Sequence, residues 1–191
     1  MGKQGSFIKR LTDIILSILT LIITSPIFLL AALAIKITSK GPVFFLHERT
    51  GLNGKLFRMI KFCGMIDNAL KYGPGITQVN DPRITKVGKF LRRTSIDELP
   101  QFLNVLKGEM SIIGPRPEIT SITENYSEEH KKVFEFLPGI TGISQINGRQ
   151  LLTPEQRSEM EIEYYSKETF VSDFIIFIKT FSVIISNKGN I

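Results

Sequence analysis

The sequence predicts an α+β fold that is mostly helical, with an apolar helix at its N-terminus and a small β-hairpin close behind. Three patterns carry that expectation. No residue from Ile14 to Ile35 is charged. Two short apolar runs, 43–47 and 56–62, flank an Asn53-Gly54 pair, a strong hairpin signal. Leu99, Phe102, Leu103, Leu106 and Met110 recur at helix spacing. A length of 191 residues suffices for one domain with a sizeable core. The expected organisation is a membrane segment over residues 1–40 and a single folded unit over 41–191.

Composition narrows the function classes. The formal net charge is +6, which suits nucleic acid, an anionic membrane face or phosphate-bearing substrates. No nucleic-acid-binding module is recognisable, so charge alone supports that partner weakly and none is expected. The single cysteine, Cys63, excludes an internal disulfide. Two histidines rule out a His-rich metal site. There is no P-loop or dinucleotide fingerprint, and no signal for an oligomeric state.

The Ile14–Ile35 run, at about 1.5 Å per residue, just crosses a hydrocarbon core of about 30 Å. It is too long for a signal peptide, and no small-residue cleavage site follows. By length it reads as a spanning helix. Two details oppose that. Ser25-Pro26 sits mid-run, where proline removes a backbone hydrogen bond and bends the helix; Ser25 can return a hydrogen bond to a freed carbonyl. Basic residues also flank both ends, Lys3, Lys9 and Arg10 before and Lys36 and Lys40 after, so the positive-inside rule puts both ends on the cytoplasmic side. A helix hinged at Ser25-Pro26 that dips in and returns satisfies both details.

After the hairpin, in which Glu48, Arg49 and Lys61 could face the site though nothing local requires it, residues 71–81 read as a loop, broken by Gly73-Pro74-Gly75 and Asn80-Asp81-Pro82. Arg83, Lys86, Lys89, Arg92 and Arg93 form a dense basic stretch, read as a solvated helix face or an attraction to anionic lipid. Asp97-Glu98 follows. Ser95 and Glu98 match a capping box ahead of the helix. The same geometry suits an ionised carboxylate among arginines, able to attack phosphorus, with Arg92 and Arg116 holding phosphate oxygens. Gly114-Pro115-Arg116-Pro117 is a stiff turn that fixes Arg116. Residues 127–136 read as a short polar helix. Thr153-Pro154-Glu155-Gln156 starts another, with proline at the first helical position and a capping box, running to about Lys167. Residues 170–186 are apolar except for Asp173 and Lys179. They suit a core helix or one lying in the membrane interface.

Arg92-Arg93-Thr94-Ser95-Ile96-Asp97-Glu98-Leu99-Pro100-Gln101, Asn104-Val105-Leu106-Lys107-Gly108-Glu109-Met110-Ser111 and Gly114-Pro115-Arg116-Pro117 resemble the signature of the bacterial sugar transferases, the monotopic phosphoglycosyl transferases. Residues 140–149, ending in Arg149, match the same pattern. Nearly the whole chain resembles the small members, which consist of the catalytic domain alone. The resemblance implies a re-entrant helix at Ser25-Pro26 and interfacial amphipathic helices around an active site on the cytoplasmic face of the bacterial inner membrane. It implies transfer of a phosphosugar from a UDP-sugar to polyprenyl (undecaprenyl) phosphate with release of UMP, the first membrane step of glycoconjugate synthesis. Asp97 is the implied nucleophile and Mg²⁺ contact. Glu98 is a second catalytic carboxylate or only a cap. Arg92, Arg116 and Arg149 are implied phosphate binders, though Arg149 reads equally well as a surface loop residue. Cys63-Gly64 departs from the pattern, in which a basic residue is expected at position 63. Two rival readings are a non-catalytic membrane-anchored module binding lipid or a partner, and a phosphohydrolase using the same aspartate without a lipid acceptor.

Overall fold

A computed structural model of the chain describes residues 6–72, 78, 81–148 and 151–186. The elements are α1 (Phe7–Thr38), β1 (Phe44–Thr50), β2 (Leu56–Phe62), α2 (Lys86–Arg93), α3 (Gln101–Lys107), β3 (Ser111–Ile113), α4 (Thr120–Thr123), β4 (Gly139–Thr141), α5 (Ile143–Ile146), α6 (Pro154–Tyr165) and α7 (Phe170–Ser186). The fold is mostly helical, as expected. The hairpin forms between β1 and β2, and β3 pairs in parallel with β4. That second pairing is three residues per strand and had no sequence signal: each strand is too short to show a period.

Helix α1 starts on Ser6, whose side chain accepts from Lys9 N (3.2 Å). Helical structure continues through Pro26 to Thr38, so the proline does not divide the helix into two elements. Proline at position 26 leaves the carbonyl of Ile22 without its usual donor. Ser25 Oγ donates to that oxygen at 2.8 Å, the local compensation the sequence suggested. The helix is long and apolar enough to cross a membrane, and little of it is buried. Its middle exposes Ile22, Ile23, Leu29 and Leu30.

Both halves of α1 are fastened to the rest of the chain. Near its start, Arg10 donates to the carbonyls of Val105 (2.7 Å) and Leu106 (3.1 Å) in the last turn of α3, where carbonyls lack an i+4 helical donor. Asp13 is buried and accepts from Ser111 Oγ (2.7 Å) and Ile112 N (3.1 Å). Beyond Pro26, Ala31 and Ile35 pack with Phe62 of β2 and Leu91 of α2. Cys63 packs against the same cluster.

The larger core lies beneath the hairpin, where Phe57 and Met59 meet Val105, Met110, Ile112 and Tyr165. Asn104, fully buried, links α3 to β2: its Oδ1 accepts from Ile60 N (3.0 Å) and its Nδ2 donates to Arg58 O (2.8 Å). Helix α6 starts as expected, with both halves of the Thr153–Gln156 capping box present and Pro154 in the first turn. Helix α7 has two faces. Asp173 and Ile176 are buried, while Phe170, Val171, Phe174, Ile175, Ile178 and Phe181 are exposed. Lys9 of α1 pairs with Asp173 and Glu168, which fixes α7 to the start of α1. The expected polar helix over 127–136 is instead a 3₁₀ segment, His130–Glu135.

Candidate active site

The predicted carboxylates sit at the junction of α2 and α3, but not on a helix start. Ser95 adopts a left-handed backbone (φ 56°) and makes no side-chain cap. Ile96–Glu98 is one 3₁₀ turn, and α3 begins only at Gln101, after Pro100. The expected capping box therefore does not form. The left-handed Ser95 turns the chain sharply, and Pro100 delays the regular helix. Glu98 is freed for another partner: Lys61 Nζ donates to its Oε1 at 2.8 Å. The role of Glu98 as a cap is thus replaced by an ion pair to β2.

Lys61 reaches the turn because of hairpin register. In an antiparallel pair, directly opposed residues share a face. Phe45 faces Lys61, His47 faces Met59 and Arg49 faces Phe57, so Phe45, His47, Arg49 and Lys61 project to one side. Burial raises the Asp97 carboxyl to about 6; Lys61 opposes the rise, Glu98 adds to it, and Arg92 and Arg116 oppose it. Asp97, half-buried, thus lies in the field of three cations and one anion. Arg49 donates to Pro117 O (3.2 Å) and to His47 Nδ1 (3.1 Å). Burial, with Arg49 and Lys61 nearby, lowers His47 to about 4, so the ring is neutral near pH 7 and accepts through Nδ1.

The turn carrying Arg116 is held from below. Gly114 N donates to Thr141 O (3.0 Å), Gly139 N to Pro115 O (2.8 Å), and Arg116 N to Glu161 Oε1 (2.9 Å). Ser144 Oγ donates to the same Glu161 oxygen. Burial raises Glu161 to about 7, against the hydrogen bonds from Arg116 N and Ser144. A Cβ on Gly139 would lie 2.1 Å from Gly114 N, and one on Gly142 2.2 Å from Gly114 O. These glycines let three backbone segments stack under the Arg116 turn. Glu118, next in the chain, pairs with Arg157 of α6 at 2.7 Å.

A family model described as bacterial sugar transferase matches residues 4–187. The chain belongs to the bacterial sugar transferase family. It is 42% identical over 192 residues to the UDP-glucose:undecaprenyl-phosphate glucose-1-phosphate transferase of Escherichia coli K12, covering 95% of this chain and 41% of that protein. It is 37% identical to the undecaprenyl-phosphate galactose phosphotransferase of Salmonella typhimurium LT2, covering 99% and 43%. With the exopolysaccharide production protein ExoY of Sinorhizobium fredii NGR234 it shares 35% identity over 97% of this chain and 89% of that protein. The chain thus spans about two-fifths of the length of the first two relatives and most of the third.

In this member of the family, Glu98, Arg92 and Arg116 all lie near enough to Asp97 to act on its carboxyl. Arg149 lies outside the described residues. Sequence reasoning allowed Lys61 and Arg49 to face the site without requiring it, and passed over His47, Glu118, Arg157 and Glu161. Period-two alternation along β1 was the available signal for Arg49 and His47, whereas Lys61 on β2 needed the β1–β2 register. A hollow lined by Asn53, Leu56, Thr120, Lys131 and Phe134 among others contains none of these residues, whereas a smaller one beside it is lined by Arg116, Glu118 and Glu161. Asp97 and Glu98 offer adjacent carboxylate oxygens, and among the described residues no larger cluster of metal-ligating side chains exists. Two carboxylates and a substrate phosphate suit a Mg²⁺ ion that keeps part of its water shell.

Proposed function

We propose that the protein moves a sugar-1-phosphate from a UDP-sugar to polyprenyl phosphate, with release of UMP. The observation that carries this reading is Asp97, half-buried and flanked by Lys61, Arg92 and Arg116, on a turn that follows a helix packed against apolar α1. The relatives named for this reaction carry glucose in one case and galactose in another, so the sugar itself is not assigned.

In the first step a carboxylate oxygen of Asp97 attacks the phosphorus bearing the sugar. The Asp97 O–P bond forms, the bridging P–O bond of the diphosphate breaks, and the electron pair leaves on UMP. Lys61, Arg92 and Arg116 bear the negative charge of the phosphoryl oxygens. In the second step an oxygen of the polyprenyl phosphate attacks the same phosphorus in line and Asp97 leaves. Splitting the reaction avoids direct attack of one anion on another. Glu98 keeps Lys61 directed at the turn. Asp97, with Glu98 beside it, would hold Mg²⁺, which when bound neutralises diphosphate charge. Incubation with a panel of UDP-sugars, followed by rapid quenching and peptide mass spectrometry, tests the scheme: one sugar should leave a phosphosugar on the peptide containing residue 97. A non-catalytic module gives no adduct, and a phosphohydrolase releases UMP over many turnovers without lipid acceptor, where the proposed scheme stops at one equivalent per enzyme.

The free enzyme needs Asp97 ionised. Its carboxyl at about 6 gives kcat/KM a limb that falls as pH drops through about 6 and levels off above it. Lys61→Met removes the largest influence holding that value down, so the limb moves to higher pH and activity at pH 7 falls. An unmoved limb in this variant would separate Lys61 from Asp97.

The membrane arrangement proposed is a re-entrant α1 hinged at Ser25-Pro26, with α7 in the interface and the site on the cytoplasmic face of the inner membrane. What supports it is that residues on both sides of Pro26, Asp13 before and Ile35 after, are fastened to the same body. A straight crossing would separate them by about 33 Å at 1.5 Å per residue, roughly the bilayer core. Labelling cysteines placed near each end should report the same side in the parent chain. Pro26→Ala, which restores the donor to Ile22 O, should shift a fraction of molecules to opposite-side labelling. Opposite-side labelling of the parent chain overturns the arrangement.

A further inference from the structure

Helix α2 turns Gly88 and Leu91 inward and leaves Lys86, Lys89, Phe90 and Arg93 exposed. Positions 86, 89, 90 and 93 are spaced i, i+3, i+4 and i+7, so they form one stripe along the outer face. The helix carries no acidic residue. Among the described residues none of Lys86, Lys89 and Arg93 takes part in an ion pair. On the His130–Glu135 segment, by contrast, Lys131 and Lys132 each have a glutamate three residues away as partner. Phe90 stands 60% exposed between the three cations. On its inner side, Leu91 packs with Ala31 and Ile35 of α1. The stripe is therefore next to the half of α1 that exposes Leu29, Leu30, Leu33 and Ile37.

We infer that this stripe of α2 docks on anionic phospholipid headgroups of the bilayer, with the three cations against headgroup phosphates and Phe90 inserted between them. Unpaired cations around an exposed aromatic are the composition of an interfacial helix face. Continuity with the apolar surface of α1 selects a lipid surface over an acidic protein. Each basic side chain near an anionic surface favours attachment about fivefold, and three together on the order of a hundredfold. The consequence for the site is positional. Helix α2 runs into Ser95 and Asp97, so its docking sets the catalytic turn at headgroup height, where a lipid phosphate arrives. The inference rests on the membrane reading above and adds the sign of the lipid charge and the segment that senses it.

The chain contains no tryptophan, so Phe90→Trp introduces a single indole on the stripe. The protein is placed in nanodiscs of phosphatidylcholine alone or with phosphatidylglycerol, both with brominated acyl chains and without polyprenyl phosphate. Indole quenching should be several-fold stronger in the anionic discs, should fall at 0.5 M salt, on the order of a Debye length of a few ångströms, and should lose its lipid dependence when Lys86→Gln, Lys89→Gln and Arg93→Gln are added. Equal quenching in both discs, or an unchanged response in the added variants, overturns the inference and leaves a solvated or protein-facing helix. Failure of the parent chain to enter either disc instead overturns the membrane reading.

Discussion

Asp97→Asn should lose phosphosugar transfer by at least about 10³-fold, together with the covalent adduct. An amide of the same shape has no anionic oxygen to offer, and a nucleophile defines the route rather than assisting it. A loss of that size corresponds to about 4 kcal/mol of transition-state stabilisation. The fold should survive the change. Asp97 is half-buried, and no structural hydrogen bond of α2 or α3 depends on its carboxyl in the way that β2 depends on Asn104. The variant should still bind the UDP-sugar, because Lys61, Arg92 and Arg116 remain and no longer face the aspartate's charge. A binding titration alongside UMP release therefore separates chemistry from attachment. Glu98→Gln is the informative companion. Its Lys61 ion pair weakens while Asp97 stays, so a smaller activity loss is expected, with an intact adduct. Wild-type UMP release by purified Asp97→Asn in the presence of lipid acceptor would sink the nucleophile assignment.

What the sequence disclosed follows from the kind of signal each feature emits. Helix α1, the hairpin and α6 announce themselves by an uncharged run, an Asn-Gly turn and a capping box, and all three form. The carboxylates and two of the arginines were visible as a motif, because the motif lies on one stretch of chain. Their geometry was not. A capping box is satisfied by residue type alone, whereas Ser95 is left-handed, and only the tertiary path of the chain decides between the two. Lys61 comes to the site through strand register, which needs the β1–β2 pairing. Glu161 was invisible for another reason. The buried face of α6 is Ser158, Glu161 and Tyr165, at helix spacing but largely polar. A search for apolar periodicity passes over it, and the partners that make its burial tolerable, Ser144 and Arg116 N, are distant in sequence.

The position of α2 rests on a backbone crossing that explains Gly64, one of the two residues departing from the expected pattern. A Cβ on Gly88 would lie 1.8 Å from Gly64 O and 2.6 Å from Gly64 Cα. One on Gly64 would lie 3.2 Å from Gly88 Cα and 3.5 Å from Arg92 Nε. The two glycines thus let α2 lie directly on the end of the hairpin, and Gly64 leaves room beside the Arg92 guanidinium. Gly88→Ala should be severely destabilising, because the obstacle is backbone and cannot rotate away. The two segments must part by roughly an ångström or more, breaking the Thr85 N to Gly64 O bond (3.0 Å) and opening the packing of Leu91. A cost of about 3 kcal/mol is expected, a fall in Tm of roughly 6–12 °C for a chain of this size. Activity should fall further than stability, because α2 carries Arg92 and leads into Asp97, and a displacement of about 1 Å at a reacting group costs on the order of 10² in rate. Gly41→Ala is the matched control: its Cβ would meet Asp67 Oδ1 at 3.4 Å, an ordinary contact, so both Tm and rate should stay near those of the parent. If Gly88→Ala melts and turns over like Gly41→Ala, the Gly64–Gly88 crossing does not hold the Asp97 turn in place.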